Sequence, residues 1–388
     1  MNGVANLSLA AVSDAGSIAF IDLKAQQRRI RANIEARIQK VLDHGRYIGG
    51  PEIEELEDLL QERTGARAVT ACASGTAALI IPLVSFDLQE NDAVFIPAFT
   101  YNATANAVLL AGGTPVFVDI DPATFNMDPV DLERRIDAVK REGKLNPRII
   151  IPVDLFGSPA DYPAIDAIAA KESLRVLSDG AQSFGAQLGN RWVGNLASAT
   201  ATSFFPGKAL GAYGDAGAIF SQNPDDKDVW ESIRWHGTCS QRKESIRVGF
   251  NGRMDSFQAA VLLEKLAIFD EELAQRHEIA KLYAERLDGV SRLQDHHPDA
   301  VSSFGYYSLC VENRDEVAAQ LKSLAVPTAI YYTTPLHKMP AFEEYAPEGG
   351  LPATESVANE ILSIPMHPYL TPDQVDHICA SVVSAVSA

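Results

Sequence analysis

The chain has 388 residues, 46% hydrophobic and 22% charged, an ordinary globular composition that excludes disordered, collagen-like and coiled-coil classes. Its 33 Lys and Arg against 51 Asp and Glu leave a formal charge of −18, the wrong sign for a broad surface that neutralises nucleic-acid phosphates or anionic lipid. A small anionic ligand in a local basic pocket stays compatible with that balance.

Residues 1–17 carry no Lys or Arg and no sustained apolar core, so they do not read as a secretory signal and are expected to form a flexible tail. Helical spacing of Ile30, Ile34, Ile38, Val41 and Leu42 predicts a helix over 28–44 that stops at Gly45, and a second helix follows over 52–63. Strand patterns at 68–71, 93–97, 116–120, 149–155 and 176–178 then alternate with helical patterns at 76–86, 103–111, 129–141 and 163–172. Such alternation predicts a mostly parallel sheet covered by helices on both faces, with ligands at the carboxyl ends of its strands. Two further strand patterns, at 200–205 and 217–220, flank a glycine-rich loop. One long helical stretch over 254–287 leads through a polar break at 294–300 into strands near 304–311 and 328–332 around a helix near 315–324. The expectation is an α/β protein: a large domain over 18–255, then the long helix and a small α+β C-terminal domain over 256–388.

Cys72, Cys239, Cys310 and Cys379 lie far apart with no C-x-x-C pair, so neither a zinc site nor a disulfide framework is indicated, and a reducing cytosol fits. No apolar run approaches the roughly 18 residues of a membrane span, so none is expected.

Four segments concentrate unusual residues at strand ends. Ala73-Ser74-Gly75-Thr76-Ala77 hands a strand over to a helix, where backbone N–H groups, the Thr76 hydroxyl and the positive helix end suit a phosphate as well as a plain N-cap. Leu177-Ser178-Asp179-Gly180-Ala181-Gln182 ends an apolar strand on a carboxylate, which suits a core only if it faces a cation or a donor. Ser203-Phe204-Phe205-Pro206-Gly207-Lys208 places a lysine after a bulky apolar run, where desolvation would favour the free amine that attacks carbonyls. It is no P-loop, since Ala209 follows Gly207-Lys208. Gly249-Phe250-Asn251-Gly252-Arg253-Met254-Asp255 reads, taken alone, as a turn and cap. Together, a phosphate cradle, a strand-end Asp and a lysine are the parts that hold pyridoxal 5′-phosphate: Asp179 to keep the pyridine nitrogen protonated, Lys208 to form the Schiff base, the helix end to take the phosphate.

These segments, with Pro97-Ala98-Phe99-Thr100-Tyr101 and Asp179 to Gly185, occur in an order that resembles the nucleotide-sugar aminotransferases of the DegT/DnrJ/StrS family, which have the aspartate-aminotransferase fold, PLP fold type I. The resemblance runs from Phe20-Ile21-Asp22-Leu23 to Ile364-Pro365-Met366-His367-Pro368. It implies that Lys208 carries the cofactor and then moves the proton, that Asp179 pairs with the ring nitrogen, and that Gln182 bonds near the phenolic oxygen. By the same resemblance Tyr101 stacks on the ring, and Gly75, Thr76 and Ser203 hold the phosphate. Asn251 is expected to reach the phosphate of a neighbouring subunit, which implies a homodimer with shared active sites. Two positions depart from the family pattern: Gly207 replaces the usual Ser before the lysine, and Ala216 the second Gly of Gly-Asp-Gly-Gly.

The stretches 246–249, 265–269 and 364–370 look most like the subgroup that aminates UDP-2-acetamido-2-deoxy-3-oxo-glucuronate from L-glutamate, for cell-surface polysaccharide such as O-antigen. Arg253 is then a partner for a sugar or glutamate carboxylate, and Tyr331, in a Tyr331-Tyr332 pair where some members have His-Tyr, a substrate contact. The expected setting is a cytoplasmic enzyme with no metal, no nucleic-acid partner and no membrane. The alternatives are an aminotransferase for a 4-keto-6-deoxy sugar nucleotide, a PLP-dependent ketosugar lyase or dehydratase, and a regulatory protein that keeps the fold without turnover.

Overall fold

The computed structural model describes residues 18–387; the expected tail, 1–17, lies outside them. Two helices open the chain, α1 (Leu23–His44) and α2 (Pro51–Thr64). An alternating run follows: β1 (Ala68–Cys72), α3 (Gly75–Ser85), β2 (Asp92–Pro97), α4 (Ala103–Leu110), β3 (Thr114–Val118), α5 (Pro129–Glu142), β4 (Asn146–Ile150), α6 (Tyr162–Glu172) and β5 (Arg175–Asp179). After the short strands β6 (Gln187–Leu188) and β7 (Arg191–Trp192) come β8 (Ala199–Ser203), β9 (Gly217–Ser221), α7 (Asp226–Arg234), α8 (Ser256–Leu266) and α9 (Phe269–Leu287). The remainder is β10 (Arg292–Leu293), β11 (Ala300–Val301), β12 (Tyr307–Cys310), α10 (Arg314–Ser323), α11 (Pro352–Glu360), β13 (Ile361–Ile364) and α12 (Pro372–Val386).

Among the described residues one seven-stranded sheet runs in the order β1-β9-β8-β5-β4-β2-β3, with β9 antiparallel to both neighbours and the remaining pairs parallel. Every residue of β2 is buried, as a strand covered on both faces requires. Val94 and Ile96 face Leu79 and Ile81 of α3, Val108 of α4 and Trp230 of α7, while Phe95 between them faces Leu132 and Ile136 of α5 and Ile165 of α6. Near β1 and β9, the helices α2 and α8 bury Leu56, Leu60 and Leu262 against Val69 and Phe220. A separate core joins α9, α10 and α12 to β12 and β13 through Tyr283, Leu321, Leu362 and Val382. No helix among the described residues is long and apolar enough to cross a membrane.

Three expectations are corrected. The stretch 254–287 is two helices, turning at Ala267 and Ile268 with neither Gly nor Pro there to announce it. The turn lets Phe269 bury fully against the Phe184 ring, 5.5 Å between centroids, so tertiary packing overrides helix propensity. The strand expected over 149–155 ends at Ile150, because Pro152 has no N–H for a ladder, and pairing resumes only as an isolated bridge of Val153 with Asp179 beside the site. Residues 328–332 form one isolated bridge, Ala329 with Ser363, rather than a strand. The helix α1 also begins five residues before the predicted start at residue 28, because Asp22 caps it by accepting from the Ala25 N–H at 2.9 Å.

Candidate active site

The ends of β1, β2, β5 and β8, together with the chain just beyond β4 and just before β9, surround a cavity of about 530 Å³. Gly75, Thr76, Tyr101, Asp179, Gln182, Ser203, Lys208 and Tyr331, eight of the ten residues singled out from the sequence, line it. Asn251 and Arg253 do not. They lie beyond β1, where Ala73 donates its N–H to the Gly252 carbonyl at 2.8 Å. There Arg253 donates Nε–H to Asn251 Oδ1 at 2.9 Å and stacks over Trp235, 4.5 Å from the ring centroid.

Lys208 follows β8 in a tight turn closed by its N–H to the Phe205 carbonyl, 2.9 Å. The side chain is half-buried against the Tyr306 ring, with Nζ 5.7 Å from its centroid. Desolvation disfavours the ammonium and lowers its pKa to about 8, against the pull of the Asp179 charge. About a tenth of Lys208 would therefore be free amine at pH 7, far more than for a surface lysine.

Asp179 ends β5, 5% exposed. Its Oδ2 accepts from Thr104 Oγ1 at 2.8 Å and its Oδ1 from the Ala181 N–H at 3.2 Å. Burial pushes this carboxyl up, and the Thr104 and Ala181 hydrogen bonds and the Lys208 charge hold it down. Both amide atoms of Gln182 are engaged: Oε1 accepts from the Phe156 N–H at 2.7 Å, and Nε2 donates to the Tyr332 hydroxyl at 3.0 Å. Beneath this turn Asp154, fully buried, accepts from Tyr162 Oη and Ser183 Oγ at 2.8 Å each, and burial raises its carboxyl to about 7.

At the head of α3, Ser74 caps the helix by accepting from the Ala77 N–H at 3.1 Å. Among the described residues the N–H groups of Gly75 and Thr76 have no hydrogen-bond partner, and they sit where a helix end favours an anion. Gly75 is required by close approach: a Cβ there would lie 2.7 Å from Ser203 Cβ. Two orphan donors, two hydroxyls and the helix dipole form a cradle that a phosphate would fill.

Sequence reasoning missed Thr100, Thr104, Tyr306 and Tyr332. Tyr332 stands between Tyr101 and Phe99, 6.2 and 6.1 Å between centroids, and Tyr306 packs on Tyr331 at 4.7 Å. A strand-end aromatic cluster at 328–332 was the available signal for Tyr332; Tyr306 and Thr104 carried none that sets them apart from core residues.

Residues 28–383 match the DegT/DnrJ/EryC1/StrS aminotransferase family. The chain is 44% identical over 368 residues to the UDP-2-acetamido-2-deoxy-3-oxo-D-glucuronate aminotransferase of Pseudomonas aeruginosa, covering 95% of this chain and 100% of that one. Among solved structures it is similar to a DegT DnrJ EryC1 StrS aminotransferase from Brucella abortus, at 44% identity and TM-score 0.93, covering 96% of this chain and 100% of that one. It is also similar to NtdA from Bacillus subtilis with bound cofactor PMP, at 28% identity and TM-score 0.86, covering 97% and 86%.

Proposed function

The chain belongs to the DegT/DnrJ/EryC1/StrS aminotransferase family, and from that premise we propose that it moves the amino group of L-glutamate to UDP-2-acetamido-2-deoxy-3-oxo-glucuronate, with pyridoxal 5′-phosphate held by Lys208. The observation that carries the reading is Lys208 itself: an amine kept partly uncharged, in one cavity with the buried carboxylate of Asp179 and the donor cradle of Gly75 and Thr76. The sugar follows from the 44% full-length identity to a relative of that activity.

When bound, the cofactor supplies an electron-accepting ring and a carbonyl that can carry the amino group. Lys208 Nζ would hold that carbonyl and would serve as the base that moves a proton at the reacting carbon. Asp179 would hold a proton on the ring nitrogen. Gly75 and Thr76 would offer N–H, and Thr76 and Ser203 hydroxyl, to the phosphate. Tyr101, 58% exposed at the cavity mouth, would cover the ring face. Gln182, fixed by Phe156 and Tyr332, would serve the phenolic oxygen.

Every ligand in this reading is anionic, yet Lys208 is the one cation lining the cavity among the described residues. A second copy of the chain supplies the missing charge: Arg253, with Asn251 beside it, reaches the partner's cavity and pairs with a carboxylate, while Tyr331 touches the sugar. The same shortage of cations favours, as the second reading, a 4-keto-6-deoxy sugar nucleotide, which has no uronate carboxylate.

The absorption spectrum with L-glutamate tests the reaction. Glutamate alone is expected to remove the yellow band of the lysine-linked cofactor, and the 3-oxo-glucuronate nucleotide to restore it. A band that glutamate leaves unchanged overturns the donor, and one restored only by a 4-keto-6-deoxy sugar nucleotide replaces the sugar.

A further inference from the structure

Asp179 is held by a directed chain of hydroxyls, from Thr100 at the cavity wall through Thr104, that the steps above do not use. Thr104, in the first turn of α4 and 0% exposed, donates to Asp179 Oδ2 at 2.8 Å. Thr100 Oγ1, 2% exposed, lies 3.2 Å from Thr104 Oγ1. A threonine hydroxyl has one proton, so with that of Thr104 committed to the carboxylate, Thr100 must be the donor in the second bond. The order is Thr100 to Thr104 to Asp179, and it has one direction only.

That direction constrains the carboxyl. A proton on Oδ2 would make Asp179 the donor and Thr104 its acceptor, and the displaced Thr104 proton would need a new acceptor. Oδ1 is occupied in turn by the Ala181 N–H at 3.2 Å. Each oxygen therefore has one fixed donor, and its remaining lone-pair capacity is left to the cavity that Asp179 lines with Lys208. The helix geometry adds to this, since a carboxylate at the first turn of α4 lies at the positive end of the helix dipole. The same turn also presents Tyr101, whose carbonyl accepts the Thr104 N–H at 3.2 Å, so one short stretch of chain places both the ring-covering aromatic and the holder of the carboxylate.

Resting on the cofactor reading above, we infer that Thr104 is a positioning residue for the reaction: backed by Thr100, its hydroxyl keeps Asp179 ionised and aimed so that the carboxylate can hold a proton on a ring nitrogen in the cavity. Thr104 does not line the cavity and touches no substrate; it acts through Asp179. The titratable groups that interact with Asp179 among the described residues are Lys208, Asp154, Tyr162 and Tyr332, from four different segments, and none of them bonds the oxygen that Thr104 holds.

Wild-type enzyme, Thr104→Val, Thr104→Ser and Thr100→Val, each as the full chain, test this by titration with pyridoxal 5′-phosphate followed by absorbance. Loss of a hydrogen bond to a charged group is expected to weaken cofactor binding by about tenfold to a hundredfold in the nearly isosteric Thr104→Val. A less electron-poor ring also keeps the proton on the linked nitrogen longer, so the pH at which the bound chromophore changes colour should rise. Thr104→Ser should restore both, and Thr100→Val should move both in the same direction by less. Thr104→Val with wild-type affinity and wild-type colour change overturns the inference, as does a serine that fails to rescue. If Thr104→Val does not fold, Thr100→Val decides by the same two readouts. A wild-type protein that forms no lysine-linked chromophore overturns the cofactor reading instead, so the two failures are told apart.

Discussion

Lys208 is the proposed seat of the chemistry because its charge is expensive where it sits. A surface lysine keeps its proton to about pH 10.4, whereas burial brings Lys208 to about 8. The attacking species is the neutral amine, so covalent cofactor uptake by the apoprotein should rise about tenfold per pH unit below 8 and level off above it. Stopped-flow absorbance measures this, and a rate still climbing steeply past pH 9 would show an unperturbed lysine. Lys208→Ala should fold, with a far-UV circular dichroism spectrum like the wild type, yet form no covalent cofactor adduct. Lys208 and Asp179 were legible in the sequence because each interrupts a run where its charge has no business unless something answers it. Thr104 was not, since a threonine in the first turn of a helix reads as an ordinary helix start, and only the fold brings it 2.8 Å from a residue 75 positions away.

At the scale of elements, the site depends on α3 approaching β8 more closely than side chains normally allow. Gly75→Ala would place a Cβ 2.7 Å from Ser203 Cβ and 3.3 Å from its Cα, so helix or strand must shift. Overpacking of this kind costs about 1–3 kcal/mol, to be read as a lower denaturant midpoint of the apoprotein, and the displaced N–H groups should weaken binding of the cofactor phosphate. Unchanged stability together with unchanged cofactor affinity would mean that the cradle is not built on this contact. The strands and crossover helices of the large sheet were legible because their period and their Gly, Pro and Asp punctuation agree, as at Asp128-Pro129 before α5, where Asp128 accepts from the Val130 N–H at 2.9 Å. The break between α8 and α9 was not, because it is made by where Phe269 is buried and not by any residue at the turn.

Taken whole, the cavity has one cation among the described residues and Asn251 and Arg253 lie outside it, an arrangement that the proposed second copy would complete. Mixing Lys208→Ala with Asn251→Ala chains should regenerate one competent site per heterodimer, carrying Lys208 from one chain and Asn251 from the other. Recovery of activity on mixing two inactive preparations measures this. No recovery, with mixed dimers demonstrated by a tag on one chain, would mean that each site draws both residues from a single chain. The proposed interface, if obligate, would also tie stability to protein concentration.

By itself the sequence determined what depends on local order. Alternating strand and helix patterns specified an α/β sheet, strand-end motifs specified most of the residues that line one cavity, and five motifs in succession pointed to the aminotransferase family to which the chain belongs. Tertiary structure alone decided what depends on convergence of distant segments. It set the hydroxyl chain behind Asp179, the engagement of Gln182 with Tyr332, the bracing of Lys208 by Tyr306, and the exclusion of Asn251 and Arg253 from the cavity of their own chain. The reason is physical: periodicity and capping are written within a few residues, whereas a hydrogen bond or a ring contact across a hundred residues exists only after packing has brought both partners to one place.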